Sequence, residues 1–74
     1  MDRYGIAIFW SDEDDAYIAI PPDLTGCSAS GDTPEEALRE VQIAKEGWLE
    51  VAREHGDALP EPRWRPAEPA KAAG

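Results

Sequence analysis

The stretch Gly31-Asp32-Thr33-Pro34-Glu35-Glu36-Ala37 marks the boundary between the two kinds of structure in this chain. Thr33 is a favoured N-cap residue, and Pro34 is favoured at the first helical position. Glu36 stands where a capping box places its carboxylate. Apolar residues before this stretch alternate with a period of two, whereas those after it recur with the helical period. The sequence therefore predicts a β-rich half followed by a single helix.

The predicted helix ends before Gly56, which has the character of the C′ residue that terminates a helix. It spans about 22 residues, and the helical period gathers its apolar side chains into one stripe. The residues of this stripe are Ala37, Leu38, Val41, Ala44, Trp48, Leu49, Val51 and Ala52. Ile43 and Gly47 lie off the stripe. Either they form a second contact face of the helix, or Ile43 is an ordinary exposed isoleucine that needs no explanation.

Two short runs before the helix predict a β-hairpin. Residues 4–10 alternate bulky and small side chains, residues 16–20 are β-rich, and a five-residue acidic loop joins them. If Trp10 pairs with Ala16, one face of the sheet is apolar enough to need a covering layer, and it carries Tyr4, Ile6, Ile8, Trp10, Ile18 and Ile20. The other face then carries Ala7, Phe9, Tyr17 and Ala19.

The segment Pro21-Pro22-Asp23-Leu24-Thr25-Gly26 ends the second strand, since proline cannot donate to a ladder and glycine permits a positive φ. Residues 27–30 form a third, antiparallel strand, and the proline-bounded segment 59–66 is compatible with a short edge strand. We therefore predict an α+β fold over residues 1–66, an antiparallel β-β-β-α-β sheet with one long helix packed on one face. Residues 67–74 are expected to be a flexible C-terminal tail.

Composition narrows the classes of function. The 74 residues include seven Lys+Arg against sixteen Asp+Glu, a net charge of −9. This balance argues against a nucleic-acid surface and favours either simple solubility or a basic protein partner. No apolar run approaches the ~20 residues that span a bilayer, and no secretory leader pattern is found. We expect a cytoplasmic protein with no membrane partner.

A chain of this size has a thin core and usually needs a further source of stability. Its single Cys27 cannot form an internal disulfide, and no Cys/His cluster holds a structural metal. We therefore expect a homo-oligomer, either a dimer or a tetramer.

The acidic run Asp12-Glu13-Asp14-Asp15 is interpreted first as a solvated hairpin loop. It lacks the spacing and the distal glutamate of a calcium loop, and docking to a basic partner is its third possible role. Cys27 has only His55 as a possible base, so a small residue beside a turn is the simpler interpretation. No catalytic, metal-binding or cofactor-binding residue is predicted.

Three tryptophans remain as binding candidates. Trp48 falls within the apolar stripe and is expected in the core. Trp10 and Trp64 stand at the ends of elements and are better candidates for a protein interface, where tryptophan is enriched.

Two motifs of this sequence resemble the HicB antitoxin family. The first, Tyr17-Ile18-Ala19-Ile20-Pro21-Pro22-Asp23-Leu24-Thr25-Gly26-Cys27, is similar to the family pattern Y-x-A-x-x-P-D-L-x-G-C. The second, Gly31-Asp32-Thr33-Pro34-Glu35-Glu36-Ala37, is similar to its G-D-T-x-E-E-A helix start. The resemblance implies a partial ribonuclease H-like fold without the catalytic carboxylates, and homodimers or higher oligomers. It also implies a small basic ribonuclease toxin of the HicA type as the partner, whose active site the antitoxin blocks.

Family antitoxins usually continue into a DNA-binding segment that this sequence lacks, so we expect no direct nucleic-acid binding. The favoured hypothesis is a non-enzymatic antitoxin that neutralises a HicA-type mRNA-cleaving toxin through Trp10, residues 12–15 and Trp64. One alternative is an orphan oligomeric interaction module without a toxin partner. Another is a metal-dependent nuclease, which would need carboxylates that converge from separate strands.

Overall fold

The computed structural model of the protein describes residues 3–66. Three strands, β1 (Ala7–Ser11), β2 (Ala16–Ile20) and β3 (Ala29–Gly31), are followed by one helix, α1 (Pro34–Glu54). The strands form an antiparallel sheet in the order β1-β2-β3, and α1 packs across one face, mainly over β2 and β3. The α+β class is confirmed, with β3 slightly later than predicted. The tail expected at 67–74 lies outside the described residues.

The start of α1 is fixed by the predicted cap. Thr33 has an extended backbone, and its Oγ1 accepts a hydrogen bond from the Glu36 N–H at 3.1 Å. Glu36 Oε1 accepts in turn from the Asp32 N–H at 2.9 Å, one residue further back than a standard capping box reaches. A Cβ on Gly31 would lie 2.5 Å from the Ala37 nitrogen. The motif therefore joins β3 to α1 by close packing as well as by capping.

The end of α1 is also as predicted. His55 is the C-cap, and Gly56 follows with a φ of 74°. The Gly56 N–H donates to the Arg53 carbonyl at 3.0 Å, and the Asp57 N–H donates to the Ala52 carbonyl at 2.9 Å. These two bonds constitute a Schellman motif, which satisfies the last carbonyls of the helix.

The register of the hairpin differs from the predicted one by one residue. Ala16 pairs with Ser11 rather than with Trp10, so the loop contains the four residues 12–15. Asp15 adopts a left-handed conformation with a φ of 51°, which aspartate tolerates better than most residues. Because successive strand side chains point to opposite faces, this shift exchanges the two predicted faces of β2.

The observed register buries a small residue beneath the helix. Ala19 is fully buried in a cluster with Ala37 and Val41. Ile18 and Ile20, which were expected there, instead lie half-buried on the open face of the sheet. The predicted faces of β2 were therefore wrong. A small side chain at position 19 lets α1 approach the sheet closely.

A second cluster forms where the β2–β3 turn meets the C-terminal half of α1. Leu24, Cys27 and Leu49 are buried in it, with Tyr4, Ala44 and Trp48 packed around them. The predicted stripe needs two corrections: Leu38 and Val51 are exposed, and Lys45, which the stripe omitted, is only 5% exposed. The long aliphatic stem of a lysine can occupy an apolar surface in this way.

The predicted fourth strand is not formed among the described residues. Proline at positions 60, 62 and 66 removes ladder donors from segment 59–66. The N–H groups of Arg63 and Trp64 donate to Asp23 Oδ2, at 3.0 and 2.9 Å, rather than to a neighbouring strand. The Tyr4 hydroxyl donates to the Pro60 carbonyl. The segment is therefore an anchored coil.

Candidate functional site

The acidic hairpin loop is held in shape by local hydrogen bonds. Ser11 Oγ donates to Asp14 Oδ2 at 2.9 Å and accepts from the Asp14 N–H at 3.2 Å. Trp10 Nε1 donates to Asp12 Oδ1 at 2.8 Å. Across residues 3–66, no group of three His, Cys, Asp or Glu side chains is arranged to hold a metal ion. Residues 12–15 are all exposed, so the loop presents a negative surface in which Asp12 and Asp14 are held by hydrogen bonds.

Trp10 extends this surface with an aromatic group. Its ring meets that of Tyr17 edge to face, with centroids 5.1 Å apart and planes at 74°. It nevertheless remains 45% exposed, because α1 lies mainly over the other two strands. An exposed indole already fixed by a ring contact and a hydrogen bond loses little freedom on binding. Trp10 and residues 12–15 are termed the hairpin surface.

Trp64, the third predicted contact, does not join the hairpin surface. It is half-buried, and its ring lies so close to Gly5 that an added Cβ there would be 2.7 Å from Trp64 Cε3. Trp10 lies five positions after Gly5, which is roughly 16 Å along an extended chain. The structure thus gives Trp64 a packing role, because it holds the C-terminal segment against the start of the chain.

The motif from Pro21 to Cys27 forms two consecutive turns. The Leu24 N–H donates to the Pro21 carbonyl at 2.9 Å, and the Cys27 N–H donates to the Leu24 carbonyl at 3.1 Å. Gly26 has a φ of 84°, as the third residue of a type II turn requires. Asp23 projects from these turns and accepts the N–H groups of Arg63 and Trp64 in segment 59–66. Nothing local in the sequence indicated this role, since its partners lie about 40 residues away.

Cys27 belongs to the core of the molecule. It is buried beside Leu24 and Leu49. Burial raises the pKa of its thiol above the ordinary value, and the positive charge of Lys45 opposes this effect in part. Since the thiolate is the reactive form, a thiol kept protonated is a weak nucleophile. The structure supports the interpretation of Cys27 as a small packing residue.

A groove of about 450 Å³ runs between the β2–β3 turn and α1. One wall is formed by residues 26–28, and the other includes Gly47, Trp48 and Val51. Trp48 is half-buried rather than fully in the core, and its Nε1 donates to the Thr25 carbonyl at 3.0 Å. This bond fixes the indole at the groove. The only sequence signal for the groove was the off-stripe position of Gly47.

The described part of the chain thus has two distinct surface features, the hairpin surface and the groove beside Trp48. The chain matches the family model for the HicB-like antitoxin of bacterial toxin-antitoxin systems over residues 4–68. It is 44% identical over 58 residues to UPF0150 protein ssl0259 of Synechocystis sp., an alignment that covers 78% of each chain. It is 34% identical over 53 residues to UPF0150 protein Ta0767 of Thermoplasma acidophilum, covering 72% of this chain and 77% of that relative. No solved structure matches it.

The chain therefore belongs to the HicB-like antitoxin family, as its two motifs indicated. Membership suggests a non-enzymatic role on the antitoxin side of a toxin-antitoxin system. Within residues 3–66, no helix has the length and apolar character needed to cross a membrane.

Proposed function

We propose that this protein is an antitoxin that binds and neutralises a small basic, mRNA-cleaving toxin of the HicA type in the cytoplasm. The observation that carries the proposal is the family match, which spans residues 4–68. The chain acts by binding and not by catalysis. Its net charge of −9 complements a basic partner, and complementary charge accelerates encounter and selects between partners.

The hairpin surface supplies a mechanism of neutralisation. A ribonuclease must hold RNA phosphates with basic groups. Residues 12–15 offer four carboxylates in a loop held by Ser11, and Trp10 adds an apolar contact beside them. A toxin whose basic surface is occupied by these carboxylates cannot hold RNA there. Because the attraction is electrostatic and exposed, binding should weaken as salt is added.

The test is calorimetric titration of the protein with a catalytically inactive HicA-type toxin at low and high salt. Glu13→Lys should weaken binding by about tenfold, since it reverses one charge of an exposed cluster facing a cationic surface. Glu61→Lys changes the net charge equally but lies on the C-terminal segment, and it should have little effect. Absence of binding by the wild-type protein at low salt would refute the antitoxin function.

We further propose that the fold is related to a partial ribonuclease H-like fold. The proposal is supported by the family resemblance and by three antiparallel strands followed by a helix across one face. An experimental structure in which segment 59–66 pairs with β1 would support the full β-β-β-α-β order. The same segment in the coil described above would restrict the likeness to the three strands and the helix.

A second candidate function is self-association without a toxin. The open face of the sheet carries Phe9, Ile18 and Ile20, and the three strands contain no charged residue. Two copies of this acidic chain repel each other least where the contacting surfaces carry no charge. The proposed dimer or tetramer would therefore use this face.

Sedimentation velocity tests this arrangement. Ile18→Glu should dissociate the oligomer, whereas the matched variant Ile43→Glu, on the exposed side of α1, should not. A stable oligomer that binds no HicA-type toxin would favour the self-associating module over the antitoxin. A wild-type protein that stays monomeric at all concentrations would exclude the module.

A further inference from the structure

An exposed apolar stripe on α1 has no partner within the described part of the molecule. Ile43 and Val51 are 62% and 50% exposed. Each is one helical turn from Gly47, so the three residues share one face of the helix. This stripe is separate from the buried residues of α1, which face the sheet and the β2–β3 turn.

Gly47 is the unusual member of the stripe. Glycine in a helix interior is disfavoured roughly fivefold relative to alanine. A Cβ at this position would meet no atom within 4 Å, so no contact inside the described structure requires its absence. Gly31 is the opposite case, since a Cβ there would collide with α1. No contact in the described part of the molecule accounts for a glycine at position 47. The missing side chain leaves the helix backbone open to close approach by a group of another molecule.

Gly47 opens into the groove of about 450 Å³ described above. That volume lies within the range of protein pockets that bind ligands. The indole of Trp48 lines the groove and is held by its bond to Thr25. Large apolar side chains that enter preformed pockets of this kind carry much of the affinity of protein interfaces. The groove is suited to a large apolar side chain presented by another molecule.

The charges near the groove distinguish between possible occupants. Glu40 and Glu54 lie on the same face of α1 as the apolar stripe, one helical turn before Ile43 and one turn after Val51. In a two-fold pair of helices crossing at Gly47, Glu40 of one copy would face Glu54 of the other. Like charges therefore oppose a second copy of this chain, whereas a cationic partner complements both.

We propose that this groove binds an apolar side chain presented on a basic surface of a partner protein. The occupant would insert beside Gly47, and its lysines or arginines would pair with Glu40, Glu54 and Asp57. The inference rests on the proposed function in so far as the toxin supplies that surface. The hairpin surface would then accelerate encounter, and the groove would supply affinity, because exposed ion pairs alone contribute little.

The first experiment uses an amphipathic peptide of leucine and lysine, titrated into the ¹⁵N-labelled protein. Chemical-shift changes are expected at residues 26–28 and 43–51. Gly47→Leu fills the groove and should weaken binding at least tenfold while raising the thermal midpoint, since leucine favours the helix. Gln42→Leu adds the same side chain on another side of α1 and should leave affinity unchanged. Shifts confined to the hairpin surface, no shifts, or unchanged affinity in Gly47→Leu would overturn the proposal.

A second titration, with an inactive HicA-type toxin, separates this inference from the antitoxin function. A toxin that binds the wild type but loses affinity for Gly47→Leu supports both. Equal toxin binding by the two proteins overturns the groove as the toxin site and leaves the antitoxin function standing. Peptide binding in the groove without any toxin binding supports the groove and refutes the antitoxin function.

Discussion

Replacement of Asp23 by alanine tests how the C-terminal segment is held. One carboxylate oxygen accepts the Arg63 N–H at 3.0 Å and the Trp64 N–H at 2.9 Å. Hydrogen bonds to charged groups contribute about 1.5–3 kcal/mol each. Asp23 is only half-buried and both bonds use the same oxygen, so the two bonds together are expected to contribute about as much as one such bond. We expect the variant to lose about 2 kcal/mol.

This loss should appear first as local opening rather than as global unfolding. Segment 59–66 is otherwise joined to the start of the chain by the Tyr4 bond to Pro60 and by Trp64 on Gly5. Regions with few buried contacts open separately from the core. Hydrogen exchange measured by NMR should therefore show about 30-fold faster exchange at the amides of the segment, the equivalent of about 2 kcal/mol. Amides in the centre of α1 should change much less.

Two further variants make this experiment specific. Asp23→Asn keeps an oxygen acceptor without the charge and should lose roughly half as much, since neutral hydrogen bonds are about half as strong. Glu61→Ala removes a carboxylate from the segment itself and should leave amide protection at 63 and 64 unchanged. Unchanged protection at 63 and 64 in Asp23→Ala, or an equal loss of protection along α1, would show that the Asp23 carboxylate does not hold the segment.

Three other substitutions follow from the packing and the caps. Gly31→Ala should cost about 2–3 kcal/mol in urea unfolding, because its Cβ would lie 2.5 Å from the Ala37 nitrogen, and backbone cannot move aside cheaply. Thr33→Ala removes the bond from the Glu36 N–H and should cost about 1 kcal/mol, seen as a thermal midpoint about 4–8 °C lower. The raised pKa of Cys27 means that the unfolded chain loses its thiol proton at lower pH than the native protein. Stability should therefore fall as pH rises above the ordinary thiol value of 9.0, and this part of the slope should vanish in Cys27→Ala.

Both ends of α1 could be predicted because their signals are local. Thr33 and Pro34 specify the beginning through the cap and the first-turn geometry, and Gly56 specifies the end through its positive φ. None of these depends on a distant residue. The same locality explains why the turn at Gly26 was predicted correctly.

The hairpin register could not be predicted because both faces of β2 are apolar. Its sequence, Ala16 to Ile20, contains no polar side chain except the tyrosine hydroxyl. A shift of one residue therefore leaves the hydrophobic pattern nearly intact while it reverses every side chain. The register depends instead on the left-handed conformation of Asp15, which shortens the loop by one residue.

Contacts between distant parts of the chain could not be predicted from the sequence either. The bonds from segment 59–66 to Asp23 join residues about 40 positions apart. Of the candidate contact residues, the structure brings Trp10 together with the acidic loop but separates Trp64 from both. Lys45 breaks the apolar pattern of its helix face, although its stem lies among the buried residues. Such features follow from tertiary packing, which periodicity does not report.

The separation of the two proposed binding surfaces, the hairpin surface and the groove, limits how a toxin could contact both. The hairpin loop and the turn that begins at Pro21 lie at opposite ends of β2, about 17 Å apart for five residues. A toxin that contacts both the hairpin surface and the groove must therefore extend along the length of the domain. The open face forms a cavity along β2 that is lined by Ile18 and Ile20, and this lining also includes Asp14 of the hairpin surface and Ser28 of the groove. A second copy bound to that face would therefore lie beside both surfaces and compete with the toxin, so toxin affinity should be higher for Ile18→Glu than for a self-associating wild type.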